Sequence, residues 1–371
     1  MYSEEIQTNM HKIFGESIKK IEELHQIRLN KSRTDFIASA ILALVQSRNV
    51  QFWEIADKMG GDAETESKHR QIQRFMSEYD LNYEWIAYFI ILLLPKQGKL
   101  KVCMDRTTWE FGTQNHNILV VTVYTHGVGI PIWFEILDNE GGNSCSEDRM
   151  YVMMKLIDVL GKERIGCVIA DCEFIGQDWI QWLIEEGFIF CIDVRTNQFL
   201  THKGKKYRIS DLLGYQQNRS LKNIQIFGIT LNIALKKSPK KALAIVSNAP
   251  VSDILNIYKL RWSIEVLFAN LKTKGFCLEN THLKEPVRLR KLFALVSLAF
   301  VVCFIIGLVA HQTKPITVKK HGYRANSIFR NGLNIIRKAM KSNKKINFDA
   351  IVNQVLTIIE KNYLRYVKIV M

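Results

Sequence analysis

Four residues in the stretch YKLRWSIEVLFANLK, 258–272, combine types that grip phosphate and bind cations. At about 100° per residue, Tyr258, Arg261, Glu265 and Lys272 fall within an arc of roughly 60° if the stretch is one helix. Leu260, Ile264, Leu267, Phe268 and Leu271 fall on another side and would dock that helix on a core. A carboxylate would then stand among an aromatic hydroxyl and two cations, on the face that does not pack. A salt bridge from Arg261 to Glu265, four residues on, accounts for two of the four without any chemistry. It leaves Tyr258 and Lys272 on the same stripe unexplained.

Two aspartates stand upstream. Asp105 lies in MDRTTW, and Asp171 follows the apolar run CVIA. A charged residue at the carboxyl end of a central strand is a common place for a functional group in open α/β sheets. Each has a plainer reading: Asp171 as an N-cap for the helix that follows, Asp105 as a partner of Arg106 or a turn residue. With Glu265 they make a carboxylate trio drawn from two strands and one helix. Two divalent ions roughly 3.5–4 Å apart can activate an attacking hydroxyl and stabilise a leaving oxygen in phosphodiester chemistry. Mg2+ takes hard oxygen ligands and keeps waters, so a few carboxylates suffice. No His or Cys cluster competes as a metal site.

The spacing Y-x2-R-x3-E-x6-K resembles the signature of DDE transposases of bacterial insertion sequences, the insertion sequence four family. MDRTTW around Asp105 looks like that family's first-aspartate motif, and IADCEFIGQDW around Asp171 like its second, with Cys172 a departure from the residue usual there. The resemblance covers roughly residues 60–340. It implies that Asp105, Asp171 and Glu265 are catalytic and hold two Mg2+ ions, with Mn2+ as a substitute. It implies that Tyr258, Arg261 and Lys272 grip phosphates, Arg261 as a planar fork and Lys272 as a point charge. In IDVRTN it implies that Arg195 faces DNA. In HRQIQRFM (69–76) it implies end-DNA contact by Arg70 and Arg74, although from residue types alone an amphipathic helix with a basic face is the plainer reading. The partners implied are double-stranded DNA, as element ends and target, and a second copy of the chain.

The net charge is +15 over 371 residues. Segment 195–241 holds eleven Lys or Arg against Asp211, and segment 311–371 holds thirteen against Asp349 and Glu360. These two segments exceed the whole excess, so the cations are clustered as on a protein that meets a polyanion. A solvated basic surface is the plainer alternative. Apolar content of 47% and near-zero mean hydropathy exclude a disordered chain. Seven cysteines without a C-x2-C pair read as reduced thiols of a cytoplasmic protein. No basic-then-apolar leader opens the sequence, which predicts a protein that is not secreted.

These groups need a scaffold. Residues 1–95 read as all-helical, ending at Pro95 and Gly98. Segments 99–112, 117–137 and 164–171 are rich in β-branched residues, with HG and GVG as turns; helical patterns follow at 146–160 and 175–186, and 188–195 reads as another strand. Three strands, then helix–strand–helix–strand, is the order of an RNase H-like α/β core, here 96–195 and 250–310. Residues 196–249 read as a basic β-rich insertion broken by Gly204, Gly214 and Gly228. The resembled family uses such an insertion on end DNA, often with a stacking aromatic. No Trp occurs there, which leaves Tyr207 or Phe227 for that role or for the insertion's small core. Trp262 reads as packing. The uncharged run 292–310 is long enough to cross a membrane, but the chain has no second span and the run reads as a buried core helix. HGYRANSIFRNGL looks like the family's carboxyl-terminal motif and opens a basic helical tail, 311–371.

The sequence therefore predicts a cut-and-paste DNA transposase that uses metal ions, in the bacterial cytoplasm, associated with the nucleoid and not with membrane. A two-metal nuclease without strand transfer and an inactive transposase-derived DNA-binding protein are the alternatives.

Overall fold

The computed structural model describes residues 2–95, 98–111, 114–137, 142–213, 218–237, 242–341 and 348–370. Gly214 and the lysines at 240, 241, 344 and 345 lie outside them. The chain divides into two compact units, Met1–Lys96 with Phe268–Met371, and Gln97–Leu267. The first is helical. It opens with α1 (Tyr2–His25), α2 (Lys31–Ser47), α3 (Phe52–Lys58), α4 (Thr65–Glu78) and α5 (Tyr83–Leu93). Asn30 and Asn82 cap α2 and α5, each side chain accepting a first-turn N–H, from Ser32 and Trp85. In α4, Ile72, Phe75 and Met76 are buried while Arg70 and Arg74 are exposed, the amphipathic pattern the spacing predicts.

The second unit is mixed α/β. Its strands are β1 (Leu100–Phe111), β2 (Gln114–Thr125) and β3 (Val128–Leu137), then α6 (Ser146–Leu160), β4 (Ile165–Ala170), α7 (Gln177–Glu185) and β5 (Phe190–Asp193). The basic segment adds β6 (Phe199–His202), β7 (Lys205–Arg208), α8 (Ile209–Leu213), β8 (Asn218–Ile226), β9 (Ile229–Lys237) and β10 (Ala242–Ser247). Among the described residues all ten strands join one sheet, in the order β3-β2-β1-β4-β5-β10-β9-β8-β6-β7. The first three are antiparallel; β1, β4 and β5 run parallel; β10 returns antiparallel on β5. The central strands are buried on both faces, as parallel strands covered by helices are. Three hairpins turn on His126–Gly127, Lys203–Gly204 and Phe227–Gly228, each with positive φ at both residues. That is the backbone whose twist matches the flanking strands, and it asks for glycine at the second place.

The stretch predicted as one helix is helical throughout, but its winding changes. α9 (Val251–Tyr258) passes into a 3-10 turn, Lys259–Arg261, then α10 (Trp262–Ala269), then a π-helical turn, Asn270–Lys274. A 3-10 turn advances about 120° per residue, so three residues gain roughly 60° over an α-helix. Tyr258 is 8% exposed, on the buried side of α9 with Ile254 four residues before it.

The helical unit is completed by α11 (Pro286–Thr313), α12 (Ile328–Lys341) and α13 (Phe348–Val370). By length and composition α11 could cross a membrane, but its apolar window is wholly buried. It is packed by α2, α4, α5, α12 and α13. At about 1.5–3 kcal/mol for each fully buried Leu, Ile or Phe, it is the main core element of this unit. Of the seven cysteines, Cys103, Cys167, Cys191 and Cys303 are buried free thiols, and Cys145 caps α6.

Candidate active site

The β1/β4 register assembles the first half of the site. Cys103 pairs with Ile169 and Met104 with Ala170 in parallel, so Asp105 and Asp171 are next in line on neighbouring strands. Asp105 shares a sheet face with Cys103, two residues before it. Cys103 Sγ donates to the carbonyl of Leu260 at 3.6 Å, which sets the 3-10 turn against that face. The turn carries Arg261. Its Nη1 lies 3.0 Å from Asp105 Oδ2 and 3.2 Å from Glu265 Oε1, so one guanidinium joins a strand carboxylate to the helix carboxylate.

Asp105 is nearly buried, and its carboxyl is pushed up to about 7. Burial contributes most, then the negative charge of Asp171, with Glu265 adding less; Arg261 and the Arg106 N–H pull the other way. Burial likewise pushes the Tyr258 hydroxyl well above the usual tyrosine range, followed by the charge of Asp193. Burial pulls the Arg261 guanidinium down, but Tyr258, Asp105 and Glu265 outweigh it and the net shift is upward.

Asp171 does act as a cap. Its Oδ1 accepts the Glu173 N–H at 2.9 Å and fixes the 3-10 turn Cys172–Phe174. The ion pair of Asp105 with Arg106 does not form. Only the Arg106 backbone N–H reaches Asp105, at 2.8 Å. The Arg106 guanidinium turns to Glu173 Oε1 at 2.7 Å and Asn117 Oδ1 at 2.6 Å. Glu173 also accepts the Ser144 N–H, and Arg149 donates to the carbonyls of Ser144, Glu173 and Ile175. Sequence reasoning passed over this network. Its signal was two residues already quoted, Arg106 beside one aspartate and Glu173 two places after the other.

The other predicted residues are placed as follows. Arg195 is exposed just after β5, and Arg70 and Arg74 are exposed on α4. Lys272 lies in the π-helical turn of the helical unit, its Nζ 3.7 Å from Glu279 Oε1. Trp262, expected to pack, is 67% exposed. With Tyr258, Lys259, Arg261 and Lys236 it lines a cleft of about 320 Å³. In the basic segment Tyr207 and Phe227 are half-buried. Among the described residues of that segment the exposed aromatic is Phe199, 54% accessible, with Lys206 Nζ 5.0 Å from its ring centre.

The donors gathered here are carboxylate oxygens, the ligands a hard divalent ion takes. The fold already holds a cationic group between Asp105 and Glu265, and this is the observation that fits a metal to the site. Among the described residues no three His, Cys, Asp or Glu side chains close to metal-binding spacing. Glu265, with its side chain 39% exposed, is the member with room to turn.

Comparisons with known proteins bear on this constellation. A solved piggyBac transposase, in a synaptic complex with hairpin DNA determined by cryo-EM, is similar at 14% identity with a TM-score of 0.44, over 96% of this chain and 85% of that one. Among curated proteins no relative matches. The family model for a transposase DDE domain matches residues 96–302, more than half of the chain and all three carboxylates with it. The chain therefore belongs to the transposase DDE domain family.

Proposed function

We propose that this transposase performs metal-dependent cleavage at the ends of a mobile element and transfers the freed strand into target DNA, the cut-and-paste reaction of the insertion sequence four family. The observation that carries the reading is the parallel β1/β4 register, which sets Asp105 beside Asp171, with Arg261 tying Asp105 to Glu265. The strand order β3-β2-β1-β4-β5 supports an RNase H-like core. Asp105, Asp171 and Glu265 would hold two Mg2+ ions, which when bound supply Lewis-acid activation of the attacking oxygen and stabilisation of the leaving one.

The chain's own residues do the rest. Asp105 presents one oxygen to the site while the Arg106 N–H fixes the other. Asp171 spends Oδ1 on the Glu173 N–H, which orients its second oxygen. Arg261 offers a planar fork to a phosphate once its carboxylate partners are engaged elsewhere. Tyr258, 8% exposed, lines one cleft with Arg261, where the two would meet a phosphate together. The exposed cations of the basic segment, Arg195, Lys203, Lys205, Lys206 and Arg208, suit duplex DNA beyond the scissile bond. Two copies bridging two element ends, in the bacterial cytoplasm, is the assembly that accompanies this reading.

The test is strand cleavage and joining on labelled element-end duplex with Mg2+, comparing wild type with Glu265→Gln. Cleaved and joined products from wild type, and neither from the variant, are expected. Nicks without joining would convert the reading to a two-metal nuclease. Activity unchanged in Glu265→Gln would remove Glu265 from the site.

A further inference from the structure

We infer that Arg48, Arg330 and Arg337, three arginines of the helical unit, form a binding site for a phosphodiester of duplex DNA at the end of the π-helical turn.

Arg48 follows α2 with φ 57, a left-handed backbone, and its N–H caps the Leu44 carbonyl at 2.8 Å. Glycine or asparagine is favoured at such a position, and another residue costs about 1–2 kcal/mol. Arginine is nonetheless present, and its side chain is used: Nε donates to the Gly275 carbonyl at 3.3 Å and Nη2 to that of Lys274 at 3.0 Å. Arg330, in the first turn of α12, donates from Nη2 to the same Lys274 carbonyl. Two guanidinium groups thus converge on one oxygen. Arg337 is seven residues after Arg330, on the same face of α12. Its Nε is buried and has no hydrogen-bond partner among the described residues.

The cluster has no counter-charge. None of the three pairs with a carboxylate among the described residues, and the sequence from 286 to 348 contains no Asp or Glu. The Arg330 guanidinium is pulled down by burial and then by the like charges of Arg48 and Arg337, so the three sense one another. Like charges gathered at a cost, with N–H groups left over, are completed by an anion. Planar forks suit phosphate oxygens. Exposed Lys319, Lys320 and Arg324 precede α12 in the chain, and exposed Lys274 sits in the π-helical turn itself, so the neighbouring sequence is cationic too.

The polyanion is taken as DNA on the strength of the proposed function. The experiment separates the two. Binding of a fluorescein-labelled random-sequence duplex to the full chain is followed by anisotropy in EDTA, across a series of NaCl concentrations, for wild type, Arg337→Gln, Arg337→Lys and Glu265→Gln. Arg337 caps no carbonyl among the described residues, so its variants probe the anion site without loosening the π-helical turn. Loss of one phosphate contact should raise the dissociation constant about fivefold to tenfold near 0.1 M salt and flatten the log–log salt slope by about 0.9. Arg337→Gln is expected to show both, and Arg337→Lys to keep the wild-type slope. If the Gln and Lys variants bind alike, the charge is not read and the site is overturned, while cleavage by Glu265→Gln with Mg2+ remains the separate test of the proposed function. Failure of wild type to bind any duplex would overturn both the site and the proposed function.

Discussion

Arg261 and Asp105, 156 residues apart in sequence, form a nearly buried ion pair at 3.0 Å, with side chains 17% and 10% exposed. The same guanidinium nitrogen reaches Glu265. Arg261 thus stands where a cation bridging those two carboxylates would stand, and the fold is organised around a positive charge even without a metal. Removing one member of such a pair leaves the other desolvated and alone. In EDTA, Arg261→Ala should destabilise the protein by about 3 kcal/mol, with Arg261→Lys intermediate. Mg2+ should then raise the melting temperature of Arg261→Ala more than that of wild type, because the ion no longer competes with the guanidinium. Equal Mg2+ shifts would mean that Arg261 and the metal do not share the position.

The raised carboxyl of Asp105 sets a pH dependence. Its folded value is about 7 against 3.8 unperturbed, so the folded state prefers it protonated. Relative to the unfolded chain, the stability it contributes is fully present below pH 3.8 and lost as pH rises through about 7. The loss is on the order of 4 kcal/mol at one kcal-scale step per unit. Asp105→Asn cannot ionise. In EDTA the stability gap between Asp105→Asn and wild type should widen in favour of the variant between about pH 4 and pH 8. Urea titrations across that range measure it, and a constant gap would contradict the burial argument.

Much of this scaffold was legible because it rests on local signals. Richness in β-branched residues marked β1 to β4 and an apolar run marked β5, and the HG dipeptide marked the β2–β3 turn. Glu265 stood out because Arg261 lies one turn before it. What was not legible depends on winding and on distant pairing. Nothing in KLRW announces a 3-10 turn, and nothing in the residue types told that Tyr258 would be 8% and Trp262 67% exposed. Nor does Arg106, adjacent to Asp105 in sequence, announce that its guanidinium crosses to Glu173.

The Arg106–Glu173 pair ties β1 to the turn that carries Asp171, with both side chains 15% exposed. It therefore fixes the spacing of Asp105 and Asp171 without touching either carboxylate through its own charges. Glu173→Ala should cost about 3 kcal/mol of stability and lower the cleavage rate about 10- to 100-fold, as loss of an outer partner of metal ligands does. A positioning role predicts that the Mn2+ concentration for half-maximal cleavage rises in Glu173→Ala. It also predicts that the double exchange Arg106→Glu with Glu173→Arg recovers part of the rate. A purely structural pair would lower the folded fraction and leave the Mn2+ dependence unchanged.

The last prediction concerns the crossing of α11 and α12. A Cβ on Gly332 would stand 1.8 Å from the Cys303 carbonyl oxygen, and one on Gly307 2.0 Å from that of Ile328. The two backbones touch, and neither helix can move away, because α11 is buried among α2, α4, α5 and α13. Phe329 beside the crossing stacks on Phe300 with ring centres 4.9 Å apart, and Arg330 follows it onto Lys274. The motif SIFRNGL therefore reads as a packing device whose glycine admits α12 and whose arginine reaches the π-helical turn. Gly332→Ala should destabilise by about 3 kcal/mol through overpacking, and Gly307→Ala by a similar amount. The double variant should cost less than the sum, because the first substitution already forces the helices apart. Chemical denaturation of the four proteins measures this cycle, and strictly additive losses would show that the two glycines do not meet.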